Sequence, residues 1–259
     1  MRVGISELSI IPMRQEPSER SEMVSQVLFG EEFEIIDIKE NWSYIRMLHD
    51  SYYGWIDNKM YSEISEERLS GNNFLYTGDV MNLVIRKDDW GDKIIPLGSR
   101  LPFFNIETKQ FSVGETSYEL KTDPKEQISN KNLRENILKY AFMYYNSPYL
   151  WGGRTPYGID CSGLSQMVYK LVGVDIPRDA SQQVKLGTSL SFVAEAQKGD
   201  LAFFGDEEGR ITHVGIIWDN NRIIHASGKV RVDNIDQEGI FNIDIHRYTH
   251  KLRVIKTII

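Results

Sequence analysis

Apolar positions in this chain change their spacing near residue 130. Before that point they come in short runs closed by turn residues. After it they follow the three-and-four spacing of a helix and then return to short runs. In the first stretch, Val27-Leu28-Phe29, residues 33–36, residues 43–47 and Gly54-Trp55-Ile56 read as strands, punctuated by Gly30, Asn41 and Asp50-Ser51. From about residue 72 to 122 the style repeats: residues 81–85, 93–97 and 100–104 read as strands, separated by Asp88-Asp89 and Gly98. Two all-β units, 1–66 and 70–122, fit small barrels, with no register between them that establishes a repeat. Proline and charge cluster without periodicity at residues 121–126, which marks a domain boundary. Beyond it Leu133, Ile137, Leu138, Ala141 and Phe142 keep helical spacing. A second helix is expected from Cys161 or Ser162 to about Val172, with Leu164, Val168 and Leu171 on one face. Strands follow at residues 200–204, 212–218 and 222–226, so the third domain, 128–259, is α+β with helices first and an antiparallel sheet after.

Composition narrows this picture. The 259 residues are 41% hydrophobic and 11% aromatic, which suits ordered globular domains and not a disordered chain. A net charge of -7 argues against a general binder of nucleic acid or anionic membrane, while leaving room for a small basic substrate. No apolar run approaches the length of a transmembrane helix, and residues 1–8 lack the apolar core of a signal peptide. A cytoplasmic location follows if Met1 is the native start; a periplasmic or extracellular one follows if a leader has been removed. No membrane partner is expected, and a monomer is.

The chemistry centres on Cys161, the one cysteine of the chain. It cannot form an internal disulfide, so it either packs or reacts. A glycine-rich approach, residues 151–160, leads into it, and it stands where a helix should begin. A helix N-terminus lowers a thiol pKa, as does a neighbouring imidazolium. Of the five histidines, His213 and His225 flank a hairpin turned by Asp219-Asn220-Asn221. A three-residue loop would pair Trp218 with Arg222 and His213 with Ser227, leaving His225 a diagonal neighbour of His213 on one face. A two-residue loop would put them on opposite faces. Two histidines without a nearby carboxylate or cysteine pattern match zinc spacing poorly, so no metal or other cofactor is expected.

Six motifs then occur in order: residues 149–153 (Tyr-Leu-Trp-Gly-Gly), 158–163 (Gly-Ile-Asp-Cys-Ser-Gly), Pro177-Arg178, 199–204 (Gly-Asp-Leu-Ala-Phe-Phe), 213–216 (His-Val-Gly-Ile) and Ile224-His225-Ala226. Together they resemble the motif series of NlpC-type papain-like cysteine peptidases, which cut bacterial cell-wall peptides. The resemblance covers about residues 130 to 259. It implies Cys161 as nucleophile, His213 as general base and then acid, and His225 as the group orienting His213. It further implies that Tyr149 and the backbone N–H of Cys161 stabilise the oxyanion. Asp160 and Ser162 would contact polar groups of the substrate; helix capping is the alternative use of both, and the two are compatible. The amino-terminal units resemble bacterial SH3-like domains, the best pieces being residues 14–18, 21–31 and 52–56. The fold class is therefore α+β: two small all-β SH3-like barrels followed by a papain-like α+β peptidase domain with an antiparallel sheet.

A subgroup of such peptidases uses its first SH3-like module to wall off the active site and to recognise the free amine of an L-Ala-γ-D-Glu-diamino acid peptide. A buried ammonium needs a carboxylate and further acceptors. Glu22 and Tyr52 are the candidates from the first module, with Glu16 or Glu19 and Tyr53 as substitutes. Asp179 and Ser181 are the candidates from the peptidase domain. Arg178 has two readings, a clamp for a substrate carboxylate and a structural partner of a neighbouring acid. The resemblance implies a cysteine peptidase hydrolysing the γ-D-glutamyl-L-diamino acid bond of short peptidoglycan peptides with a free N-terminal L-Ala, in murein peptide recycling. The alternative is an endopeptidase on intact cell wall with the SH3-like domains as wall anchors. An acyltransferase or amidase on the same fold is a third reading. A catalytically dead binding module is disfavoured, because Cys161, His213 and His225 are all present.

Overall fold

The computed structural model describes residues 1–88, 91–125, 132–219 and 221–259. Asp89, Glu126, Ile128 and Asn220, used above for a turn, the charged bridge, a domain start and the hairpin loop, lie outside the described residues. The chain divides into two compact units, Met1–Gln127 and Ile128–Ile259.

The first unit is all β. Its opening strands are β1 (Val3–Ile5), β2 (Ile10–Arg14), β3 (Met23–Leu28), β4 (Glu32–Lys39), β5 (Trp42–Met47), β6 (Tyr53–Asp57) and β7 (Ser62–Ile64). They form one antiparallel sheet in the order β3-β2-β6-β5-β4-β1-β7. Period-two burial explains it: along β5, Ser43, Ile45 and Met47 turn inward while Trp42, Tyr44 and Arg46 do not. Ile11, Met13, Val27, Phe33, Ile45 and Ile56 fill the core beneath.

A second group follows, β8 (Phe74–Tyr76), β9 (Met81–Arg86), β10 (Lys93–Pro96), β11 (Arg100–Pro102), β12 (Gln110–Val113) and β13 (Thr116–Leu120). It makes a four-stranded sheet, β10-β9-β13-β12, and a β11-β8 pair. These residues do not close on a core of their own. Ile5 and Phe29 from the opening strands pack with Val84, Ile95, Leu101, Phe111, Tyr118 and Leu120. Phe29 meets Phe111 and Tyr118 edge-on, at 6.1 and 5.2 Å between centroids. The Tyr118 hydroxyl donates to Glu7 at 2.8 Å, and the Ser70 N–H donates to buried Glu32 at 2.8 Å. The opening sheet thus keeps a core of its own and lends Ile5 and Phe29 to a second one, built mainly from the strands that follow.

The second unit opens with helix α1 (Leu133–Met143), then the short pair β14 (Arg154–Thr155) and β15 (Gly158–Ile159), helix α2 (Cys161–Leu171) and the single turn α3 (Ala180–Gln183). Seven more strands follow: β16 (Thr188–Leu190), β17 (Leu201–Gly205), β18 (Ile211–Asp219), β19 (Arg222–Ser227), β20 (Lys229–Ile235), β21 (Gly239–Asn242) and β22 (Arg247–Thr257). They run antiparallel in the order β16-β22-β17-β18-β19-β20-β21, and β21 also pairs with β22, which closes six of them into a ring. Ala202, Phe204, Ile217, Ile223, Ile235, Ile240 and Ile255 fill its interior. Alternation leaves Val214 and Ile216 of β18 for the opposite face, where α2 packs against β18 and β19. Every residue of α2 is buried, which accounts for its nearly continuous small and apolar sequence. No helix among the described residues is long and apolar enough to cross a membrane.

Candidate active site

Cys161 is the first residue of α2, and Asp160 is its N-cap. One carboxylate oxygen of Asp160 accepts from the Gly163 N–H at 2.6 Å; the other accepts from the Gly152 N–H at 2.8 Å. That ties the glycine-rich turn to the start of the helix. The approach is close enough to require glycine: a Cβ on Gly163 would lie 2.3 Å from the Gly153 carbonyl oxygen. The Arg178 guanidinium closes the arrangement, donating to Asp160 Oδ1 at 3.0 Å and to Ser162 Oγ at 2.9 Å. All three side chains are buried. The geometry thus gives Asp160 the capping use, while the Ser162 hydroxyl donates to Asp160 at 3.3 Å. Of the two readings of Arg178, it supports the structural partner of an acid.

The Cys161 thiol is buried and is pushed up to about 11, first by burial and then by the charge of Asp160. Hydrogen bonds from the backbone N–H groups of Val214 and Ser162 and the charge of Arg178 act against that rise. The Val214 contact sets the sulfur beside the residue that follows His213. Tyr149 is half-buried on the loop before β14. Burial and the charges of Cys161 and Asp160 push its phenol up to about 12, so it stays a donor.

The hairpin resolves the question of face. Asp219 pairs with Arg222, the register of a tight connection, which alone would separate the histidines. A bulge between Ile217 and Asp219 adds one residue to β18, so Gly215 faces His225, as in the longer-loop alternative. His213 and His225 therefore share a face. A second bulge, between Phe204 and Gly205 of β17, lies directly beside His213. Gly215 keeps the crossing open, since a Cβ there would meet Ile223 Cδ1 at 2.7 Å and His225 Cβ at 3.0 Å.

His213 Nε2 and His225 Nδ1 are 2.9 Å apart, with the rings at 88°. His225 Nε2 lies 3.0 Å from Asp233 Oδ2. The carboxylate can only accept, so His225 Nε2 carries the hydrogen and His225 Nδ1 is a bare acceptor. His213 Nε2–H then donates to it, and His213 Nδ1 keeps a free lone pair. Arg231 grips Asp233 through both oxygens, at 2.6 and 2.8 Å. Burial would raise the Asp233 carboxyl, but the hydrogen bonds from His225 and Arg231 overcome it and hold it at about 2. His213 is held well below the ordinary histidine value, first by burial and then by its imidazole neighbours. His225 is also lowered by burial, with Asp233 opposing.

Asp233 and Arg231 escaped sequence reasoning. Ile223 pairs with Asp233 across β19 and β20, so Asp233 is a diagonal neighbour of His225. No motif carries that relation; a correct β19–β20 register would have found it. The expectation that the histidines lack a nearby carboxylate is therefore corrected. Asp179 precedes the four-residue α3, and Ser181 is exposed within it. Glu22 and Tyr52 belong to the first unit, before β3 and before β6; Glu22 is exposed and Tyr52 half-buried.

Known proteins resemble this chain in two regions. Residues 146–247 match the NlpC/P60 family, and residues 13–59 match the bacterial dipeptidyl-peptidase SH3 domain. The chain is 25% identical over 227 residues to the gamma-D-glutamyl-L-lysine dipeptidyl-peptidase of Bacillus cereus, covering 80% of this chain and 68% of the relative. It is 29% identical over 259 residues to dipeptidyl-peptidase 6 of Lysinibacillus sphaericus, covering 86% and 88%. Its fold matches the crystal structure of an NlpC/P60 family protein from Bacillus cereus with a TM-score of 0.83, at 18% identity, over 99% of both chains.

Proposed function

The chain is a cysteine peptidase of the NlpC/P60 family, and from that premise we propose that it hydrolyses the γ-D-glutamyl-L-diamino acid bond of short peptidoglycan-derived peptides carrying a free N-terminal L-Ala. The observation that carries the reading is the hydrogen-bonded series Asp233–His225–His213, with the N–H of the next residue, Val214, bonded to the thiol at the start of α2. The dipeptidyl-peptidase SH3 match and the names of the relatives support the bond and the free amino end.

At rest the thiol and the imidazole are both neutral, because burial raises one and lowers the other. His213 Nδ1 takes the thiol proton as the sulfur attacks the carbonyl carbon. The tetrahedral oxyanion forms beside the Cys161 N–H and the Tyr149 hydroxyl, both donors. Collapse breaks the C–N bond, and the proton on His213 Nδ1 passes to the leaving amine. Water then attacks the thioester, giving its proton to His213, and the dipeptide acid leaves as the thiol re-forms. His225 and Asp233 keep His213 in the required tautomer throughout. For the substrate amine, Glu22 with Tyr52 and Asp179 with Ser181 remain the candidates.

The test is mass spectrometry of L-Ala-γ-D-Glu peptides ending in lysine or diaminopimelate, with free and N-acetylated ends, alongside intact sacculi. Release of L-Ala-γ-D-Glu from free-amine peptides, lost in Cys161→Ala, is the expected result. Turnover that survives in Cys161→Ala, or equal cutting of sacculi and acetylated peptides, overturns it.

A further inference from the structure

Strand β22 brings a third imidazole to the pair. His250, opposite Ile240 of β21, stacks its ring on that of His213, with 4.1 Å between centroids and 27° between planes. It stands edge-on to His225 and to Phe204, at 5.6 and 6.1 Å. The three imidazoles offer nitrogens within 4.8 Å of one another. One nitrogen of His213 and both of His225 are already taken up in the bonds to each other and to Asp233. A stacked ring constrains the plane of its neighbour.

Three titratable groups face His250 from the packed strands: His213 on β18, His225 on β19 and Asp233 on β20. Its Nδ1 meets the Thr249 hydroxyl of its own strand at 2.8 Å. Phe204 and Ile240, from β17 and β21, carry no charge. Half-buried, His250 also borders a cavity of about 590 Å³, with Glu238, Tyr248 and Lys251 among its lining groups. It is thus the most accessible of the three imidazoles.

We propose that His250 is a positioning residue for the reaction: its ring fixes the plane of the His213 imidazole, and by taking up a proton from the adjoining cavity it opposes charge on His213 in acid. The assignment rests on His213 being the general base. Burial, then the charge of His225, lowers His250 to about 4, with Asp233 opposing. His250 is among the causes that lower His213.

The experiment compares kcat, KM and the pH profile of the full chain with those of the His250→Ala, His250→Phe and His213→Ala variants. Removing the ring should lower kcat at pH 8 by up to about tenfold with KM unchanged, the range of an aromatic stack. Phenylalanine keeps a flat ring and should recover most of that loss. It carries no charge, so His213 will protonate more readily and the acid limb of kcat will move to higher pH. Wild-type values for kcat and for the acid limb in both His250 variants overturn the positioning role. Turnover surviving in His213→Ala removes the base assignment instead. If the alanine variant does not fold, the pH profile of the phenylalanine variant decides alone.

Discussion

Asp160 with Arg178 and Asp233 with Arg231 are the same charge pair, set on two sides of one candidate site. The first braces the helix that carries the thiol; the second braces the strands that carry the imidazoles. They differ in what else the carboxylate holds. Asp160 holds backbone, the N–H groups of Gly152 and Gly163, and its charge makes the thiol harder to ionise. Asp233 holds a ring, His225, and through it decides which nitrogen of His213 is free. A buried ion pair is thus read from its remaining partners: one fixes chain geometry, the other a proton position.

That contrast can be broken experimentally, starting with the largest effect. His213→Ala should lower kcat by about 10⁴-fold while the protein still folds and melts cooperatively. A loss below tenfold would detach the imidazole series from catalysis. Arg178→Met leaves the Asp160 charge buried, and should lower stability by about 3–5 kcal/mol, seen in denaturant unfolding. Unchanged stability there would mean that the helix start does not depend on the pair. Asp233→Asn should lower kcat by roughly 10–100-fold, with little change in KM, because the His225 tautomer is no longer imposed. A loss of stability without a loss of kcat would make the two pairs equivalent.

Acid should separate them further. The folded values of His213 and His225 lie below the ordinary histidine value of 6.5, and that of Asp233 lies at about 2 against 3.8. Each lowered value means that the unfolded chain binds protons first. The stability these groups contribute is present above the unfolded values and is lost as pH falls through the folded ones. The melting temperature should fall as pH drops below about 6.5, and fall again below about 4 in wild type but less in Asp233→Asn. A melting temperature flat from pH 7 to 3 would contradict this. The smallest effect concerns the resting thiol. Its alkylation by iodoacetamide should keep accelerating up to the alkaline value of about 11. A plateau near neutral pH would reveal a preformed thiolate.

The strands around 27–56, the opening of α2 at Cys161 and the β17 to β19 run were legible, because each is a local pattern bounded by turn residues. His213 and His225 were legible as a pair but their face was not. It depends on one bulged residue that no periodicity announces. Asp233 and His250 were illegible for a related reason. Each joins the site through pairings on β20 or β22, where charged residues interrupt the apolar alternation. The shared core of the first unit was equally hidden, since Phe29 looks like any strand residue until Phe111 and Tyr118 are seen beside it.

The pairing of β21 with β22 has a consequence in time. During synthesis Cys161, His213, His225 and Asp233 all leave the ribosome before residues 247–257, yet the ring of strands that holds the histidines closes only with that last segment. A nascent chain therefore carries every reactive group without the frame that aligns them, and stays inert until that segment is released.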